Sequence, residues 1–147
     1  EQLNNKYFTI TDIQMTRFII TLTQGVEFVI NCLNKMNGGE IFVPKIPSMK
    51  IVDLVSVIAP GYPTKITGIR PGEKLHEIMI TSDDVDSTIE FKNCFVIQPT
   101  NVPKFQGRKY MIGDQEGEPV PEGFIYRSDM NDSWLDEADL KSMLTQL

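Results

Sequence analysis

Cysteine, histidine and tryptophan are scarce in this chain of 147 residues, which holds two, one and one of them. Two cysteines, Cys32 and Cys94, cannot staple a small fold, so a disulfide scaffold is excluded and a reducing compartment is expected. The single histidine, His76, has no second imidazole to share a metal. The acidic triplet Asp83, Asp84 and Asp86 lacks the glycine and closing glutamate of a calcium loop, so no metal site is expected. No apolar run reaches the roughly 18 residues of a membrane helix, and the first residues lack the order of a secretory leader. The expectation is a cytoplasmic protein with neither leader nor span.

Enzyme signatures are missing as well. There is no G-x-G-x-x-G, no Walker loop, no G-x-S-x-G and no Tyr-x-x-x-Lys, so no catalytic or cofactor-holding residue is identified. Basic charge is also short, at 14 Lys and Arg against 20 Asp and Glu. Residues 1–113 carry 12 basic and 11 acidic side chains, a net of +1, and residues 114–147 carry 2 and 9, a net of −7. A nucleic-acid partner is not expected from that balance. Within residues 45–74, however, Lys45, Lys50, Lys65, Arg70 and Lys74 outnumber Asp53 and Glu73, which marks where an anionic ligand would bind.

What is present is ordinary globular composition, 41% hydrophobic and 23% charged. Arg17-Phe18-Ile19-Ile20 has strand character. Thr21 and Gln24 have capping-box spacing, and Leu22, Val26, Val29, Leu33 and Met36 then share one face of a helix expected over 22–36 and stopped by Gly38-Gly39. Glu40 to Val43 reads as a strand. Ser48 is the expected N-cap of a helix over 49–58 that ends at Pro60-Gly61. Strands are expected over 65–69, 88–91 and 95–97, and a short helix over Lys74 to Met79. Pro99 to Gly123 reads as loop or extended arm. Asp136 and Asp139 open a final helix whose apolar stripe is Leu140, Met143, Leu144 and Leu147. Strand, helix and strand in succession give an α/β class. Cys32, Cys94 and His76 are expected to serve structure.

Arg70 sits at a strand end beside the turn Pro71-Gly72, where open α/β sheets bind ligands. Its planar fork suits a diphosphate, and Glu73 three residues on could accept from a sugar's paired hydroxyls. The same pair also fits a plain surface Arg-Glu turn, and Arg17 fits a strand edge as well as an anion site.

Three stretches shift that balance: Met15-Thr16-Arg17-Phe18-Ile19, Gly38 to Lys50, and Gly68-Ile69-Arg70-Pro71-Gly72-Glu73-Lys74-Leu75-His76-Glu77. With Tyr126-Arg127-Ser128-Asp129 and Asn131 to Leu135, they resemble the C-terminal half of the UDP-N-acetylglucosamine 4,6-dehydratases (inverting). These are extended short-chain dehydrogenase/reductases of the polysaccharide-biosynthesis type. The resemblance implies an α/β fold that is the end of a Rossmann-like sheet plus a small substrate-binding domain. It places nucleotide-sugar binding in residues 1–98 and an acidic C-terminal extension in 99–147. It implies that Arg17 and Arg70 hold the UDP diphosphate and that Glu73 holds the ribose.

For the intact relative it implies hydride transfer from sugar C4 to NADP (or NAD), loss of water across C5 and C6, and return of the hydride to C6. This chain alone is expected to lack that lyase activity, because the cofactor and acid/base residues belong to the preceding half. The expected partners are a UDP-sugar and either a second copy in a homo-oligomer or the missing N-terminal Rossmann half. A nucleotide-sugar epimerase and a non-catalytic interaction module remain the alternatives.

Overall fold

The computed structural model describes residues 7–99 and 110–145. Along the chain the elements are β1 (Phe8–Ile10), β2 (Thr16–Phe18), α1 (Leu22–Leu33), β3 (Ile41–Pro44), β4 (Ser48–Lys50), α2 (Ile51–Ile58), β5 (Thr64–Ile66) and β6 (Ile78–Ile80). A 3-10 helix, Ser82–Ser87, leads to β7 (Thr88–Glu90), β8 (Cys94–Ile97), β9 (Met111–Ile112), β10 (Gln115–Glu116), β11 (Glu118–Pro119), β12 (Tyr126–Arg127) and α3 (Glu137–Leu144). They divide into two units that interleave in sequence. The first takes residues 1–21, 46–77 and 127–147, and the second takes 22–45 and 78–126. The class is α/β, as the sequence implied.

In the first unit β1 runs parallel to β5, pairing Phe8 with Thr64 and Ile10 with Ile66. The strands β2 and β4 pair antiparallel, setting Arg17 opposite Met49 and Phe18 opposite Ser48. Ile10, Met15, Met49 and Leu140 are buried among these elements. Ser48 does not cap α2. It lies inside β4 opposite Phe18 of β2, and both its backbone groups are taken on the other side, its N–H donating to the Ser133 carbonyl and its carbonyl accepting from the Leu135 N–H. Lys50 holds the cap position in extended conformation and caps with no side chain. The α3 start is as expected: Asp136 accepts from the Asp139 N–H at 2.8 Å and Asp139 accepts from the Asp136 N–H at 3.2 Å, a reciprocal capping box. Leu140 is 1% exposed on its inner face, and Leu147 lies outside the described residues.

Two further expectations are overturned in the same unit and beyond it. Lys74 to Met79 is not a helix, because Lys74 and Leu75 give their carbonyls to the distant Arg17 and the chain then enters β6. The strand expected over 65–69 is confined to β5, beyond which Thr67 and Gly68 donate instead to the carbonyls of Ile10 and Thr11.

The second unit is built on a four-stranded antiparallel sheet in the order β11-β7-β8-β3. Phe42 faces Val96, Ile89 faces Val96 from the other side, and Glu118 faces Glu90. Phe91, Cys94, Val96 and Tyr110 form its core, with Phe28 of α1 packed against it. Burial pushes the Cys94 thiol above its ordinary value. The described part of the expected arm, 110–123, is not irregular: β9 and β10 form a hairpin and β11 joins the sheet. Residues 100–109 of that arm lie outside the described residues. The acidic triplet falls in the 3-10 helix, where Asp84 caps it by accepting from the Thr81 N–H and hydroxyl.

Helix α1 ends at Leu33, one turn short of expectation, and its face of Leu22, Val26, Val29 and Leu33 is not in the core. Those residues are 82%, 50%, 57% and 63% exposed. Phe28, on a different face, is what meets the sheet.

Two contacts of this unit can be tested directly. A Cβ on Gly117 would collide with Ile89 Cγ2 and lie 2.5 Å from Cζ of the buried Phe91 ring, so Gly117→Ala is expected to cost about 1–3 kcal/mol in urea unfolding. The second contact involves Glu40. Burial pushes the Glu40 carboxyl up, but the Tyr110 hydroxyl at 2.6 Å and backbone N–H groups from Asn37, Glu40 and Gly38 outweigh that and hold it below its ordinary value of 4.5. A carboxyl depressed in the folded state adds stability that is present above its unfolded value and is lost as pH falls through the folded one. Thermal midpoints should therefore drop on acidification below about pH 4.5, and Glu40→Gln should show a shallower drop over that window.

Candidate functional site

All three residues that the sequence nominated lie in the first unit, on or against the stretch Thr67–Glu77. The turn comes first. Glu73 donates its N–H to the Arg70 carbonyl at 3.0 Å, Pro71 supplies the fixed φ of the second position, and Gly72 takes φ +82° at the third. That is a type II turn, whose third position demands a positive φ that glycine adopts without a Cβ penalty. The Glu73 carboxylate then locks it, one oxygen accepting from the Arg70 N–H at 3.2 Å and the other from the Thr11 hydroxyl at 3.1 Å. Arg70 and Glu73 therefore meet through backbone and not as an ion pair of side chains. The Arg70 side chain is exposed, with no hydrogen bond or ion pair among the described residues.

Arg17 is placed differently. Its Nη1 donates to the carbonyls of Thr16 at 2.7 Å and Leu75 at 3.1 Å, its Nη2 to that of Lys74 at 2.9 Å, and its Nε lies 3.4 Å from the Glu77 carboxylate. Of five guanidinium N–H groups, one on Nη2 has no acceptor among the described residues. The Thr16 N–H also donates to Leu75, at 3.1 Å.

Behind that segment lies a chain of small polar groups that the sequence did not nominate. Thr16 and Ser128, 3% and 0% exposed, place their hydroxyl oxygens 2.6 Å apart. Thr16 Oγ1 is 2.8 Å from His76 Nδ1, and Ser128 Oγ accepts from the Glu77 N–H at 2.9 Å. On the far side of the imidazole, Asp129 stands 3.6 Å from His76 Nε2 and takes a forked pair of hydrogen bonds from Arg127, the Nη2 limb at 2.9 Å. That fork holds the Asp129 carboxyl below its ordinary range. Thr16 and Ser128 are 112 positions apart, so no local spacing announces them. His76 is thus held between Thr16 and Asp129. Nothing in this arrangement forms a metal cluster among the described residues.

A strand-to-helix junction rich in glycine is what would cradle a dinucleotide. Here β4 passes straight into α2 through Lys50 without a glycine, so this junction offers no such cradle. No helix among the described residues is long and apolar enough to cross a membrane.

Comparison with known proteins follows the same lines. A UDP-N-acetylglucosamine 4,6-dehydratase (inverting) of Campylobacter jejuni is 47% identical over 142 residues, covering 95% of this chain and 42% of the relative. A UDP-glucose 4-epimerase of Rickettsia rickettsii is 30% identical over 117 residues, covering 77% of this chain and 33% of its own. This chain thus spans well under half the length of these curated relatives. The X-ray structure of Pen from Bacillus thuringiensis matches 99% of this chain and 42% of that chain with a TM-score of 0.75 at 25% identity, consistent with the C-terminal part of a short-chain dehydrogenase/reductase fold. The family model described as "Polysaccharide biosynthesis protein" matches residues 1–99, and with the relatives in agreement the chain belongs to that family, corresponding to its C-terminal part.

Proposed function

We propose that this chain binds the UDP part of a UDP-N-acetylhexosamine, as the C-terminal portion of a nucleotide-sugar 4,6-dehydratase of surface-polysaccharide or glycan biosynthesis. The observation that carries the reading is the uncommitted Arg70 guanidinium on a turn that Glu73 and Thr11 hold fixed. An arginine fork presented on a preorganised turn can donate two parallel hydrogen bonds to phosphate oxygens without first ordering the loop. Each Glu73 oxygen uses one lone pair on the turn, which leaves acceptor capacity for the paired ribose hydroxyls. Arg17 keeps an N–H on Nη2 for a diphosphate oxygen while its three hydrogen bonds hold Thr16, Lys74 and Leu75 and its Nε pairs with Glu77.

In this reading residues 1–98 are the nucleotide-sugar part, and NAD(P) chemistry, with its hydride transfers, belongs to residues that this chain does not contain. The Rickettsia relative favours a second reading in the same superfamily, a nucleotide-sugar 4-epimerase, which would use the same UDP contacts. A cytoplasmic location follows from the soluble sugar nucleotide that either reaction consumes.

The test is calorimetric titration with UDP. Arg70→Ala is expected to weaken binding by about 1.5–3 kcal/mol, the range for a hydrogen bond to a charged group. An affinity untouched by that substitution would sink the reading.

A further inference from the structure

The stretch 74–77 has no helix or strand, yet each of its ends is held by groups from far away in the sequence. Arg17 and the Thr16 N–H take its carbonyls at Lys74 and Leu75, and Ser128 takes both backbone groups of Glu77: the Ser128 N–H donates to the Glu77 carbonyl at 2.9 Å, and the Ser128 hydroxyl accepts from the Glu77 N–H at 2.9 Å. The direction of the hydroxyl chain follows from counting protons. If Ser128 donates to Thr16 and Thr16 donates to His76 Nδ1, both hydroxyl protons have acceptors; in the reverse order the Ser128 proton has none among the described residues.

Ser128 is itself anchored. The segment that follows it is tied to β4 through Ser133, Leu135 and the Asn131 side chain, which donates to the Ile46 carbonyl at 2.8 Å and to Ser48 Oγ at 3.0 Å. Since β4 pairs with β2, which carries Thr16 and Arg17, the contacts close into a ring. The loop 67–77 is thus clamped at its start by Ile10 and Thr11 and at its end by Thr16, Arg17 and Ser128, leaving the Arg70 turn between two fixed points.

We propose that Ser128 and Thr16 are positioning residues for UDP binding: their buried hydroxyl pair fixes Glu77 and His76, and through them the geometry at which the Arg70–Glu73 turn meets the nucleotide. The inference rests on the reading of Arg70 and Glu73 as UDP contacts. It adds that the chain beyond Tyr126, which touches no ligand in that reading, sets the affinity.

Two measurements on the whole chain test it. Amide hydrogen exchange should show Glu73 exchanging about tenfold faster in Ser128→Ala and in Thr16→Val, with α3 unchanged and with Thr16→Ser restoring protection. Acceleration confined to Glu77 would overturn the proposal, since the effect would then stop at the residue that Ser128 touches. In UDP titrations, Ser128→Ala and Thr16→Val should each weaken binding about fivefold, Thr16→Ser should recover it, and in the Arg70→Ala background, where only the Glu73 contact of the turn remains to be misplaced, each should weaken binding by less. If Arg70→Ala weakens binding while Ser128→Ala leaves it unchanged, the positioning role falls and the UDP reading stands. If the wild-type chain does not bind UDP, that reading falls, and the Glu73 exchange rates decide whether the hydroxyl pair fixes the turn.

Discussion

Backbone that leaves a helix or a sheet keeps its N–H and C=O groups, and in a folded chain each of them needs a partner. At the two ends of the stretch Thr67–Glu77, partners come one at a time from Ile10, Thr11, Thr16, Arg17 and Ser128. Most of what is distinctive in the first unit depends on this. Thr16 and Ser128 are buried because they serve it, and Arg17 is only partly exposed although it is an arginine. Within the stretch the Arg70–Glu73 turn closes on itself, and there the arginine side chain stays uncommitted among the described residues.

The second unit solves a different problem. Its sheet supplies backbone partners in bulk, so its side chains are free to pack, and Phe91 meets Tyr110 edge-on with ring centroids 6.0 Å apart. Tyr110 then spends its hydroxyl on Glu40, and burial together with that carboxylate pushes the phenol well above its ordinary value. Lys45 bridges to Glu90 across the sheet and lies 4.8 Å from the Phe95 ring centroid. In this unit polar groups are attached to an apolar frame, whereas in the first unit polar contacts hold the stretch that carries Arg70.

The sequence made legible whatever depended on neighbours close in the chain. The capping box at Asp136 and Asp139, the strands around Lys92-Asn93 and the helix after Thr21 all appear within a residue or a turn of where periodicity places them. The turn at Arg70 was legible for the same reason, since Pro-Gly at its centre dictates its type. What misled was distant. Leu75, Ile78 and Met79 have helical spacing, but Arg17 claims the carbonyls that a helix would need. Ser48 before an apolar run looks like a cap, but it sits in β4 and its backbone is taken by Ser133 and Leu135, more than eighty positions away. Strands of two residues, as in β9 and β10, are too short to show a period at all. Arg17, Arg70 and Glu73 could be nominated from residue type and resemblance, but Ser128 could not, because its importance lies in a contact across most of the chain.

Helix α1 is apolar on the side that meets the sheet, through Phe28, and apolar again where Leu22, Val26, Val29 and Leu33 face water. Thr23, Gln24, Glu27 and Asn31 are its polar positions, and an apolar stripe beside them is what a helix normally turns toward a packing partner. Any surface that covers the outer side binds the folded chain and not the unfolded one, so its binding free energy adds to the free energy of folding.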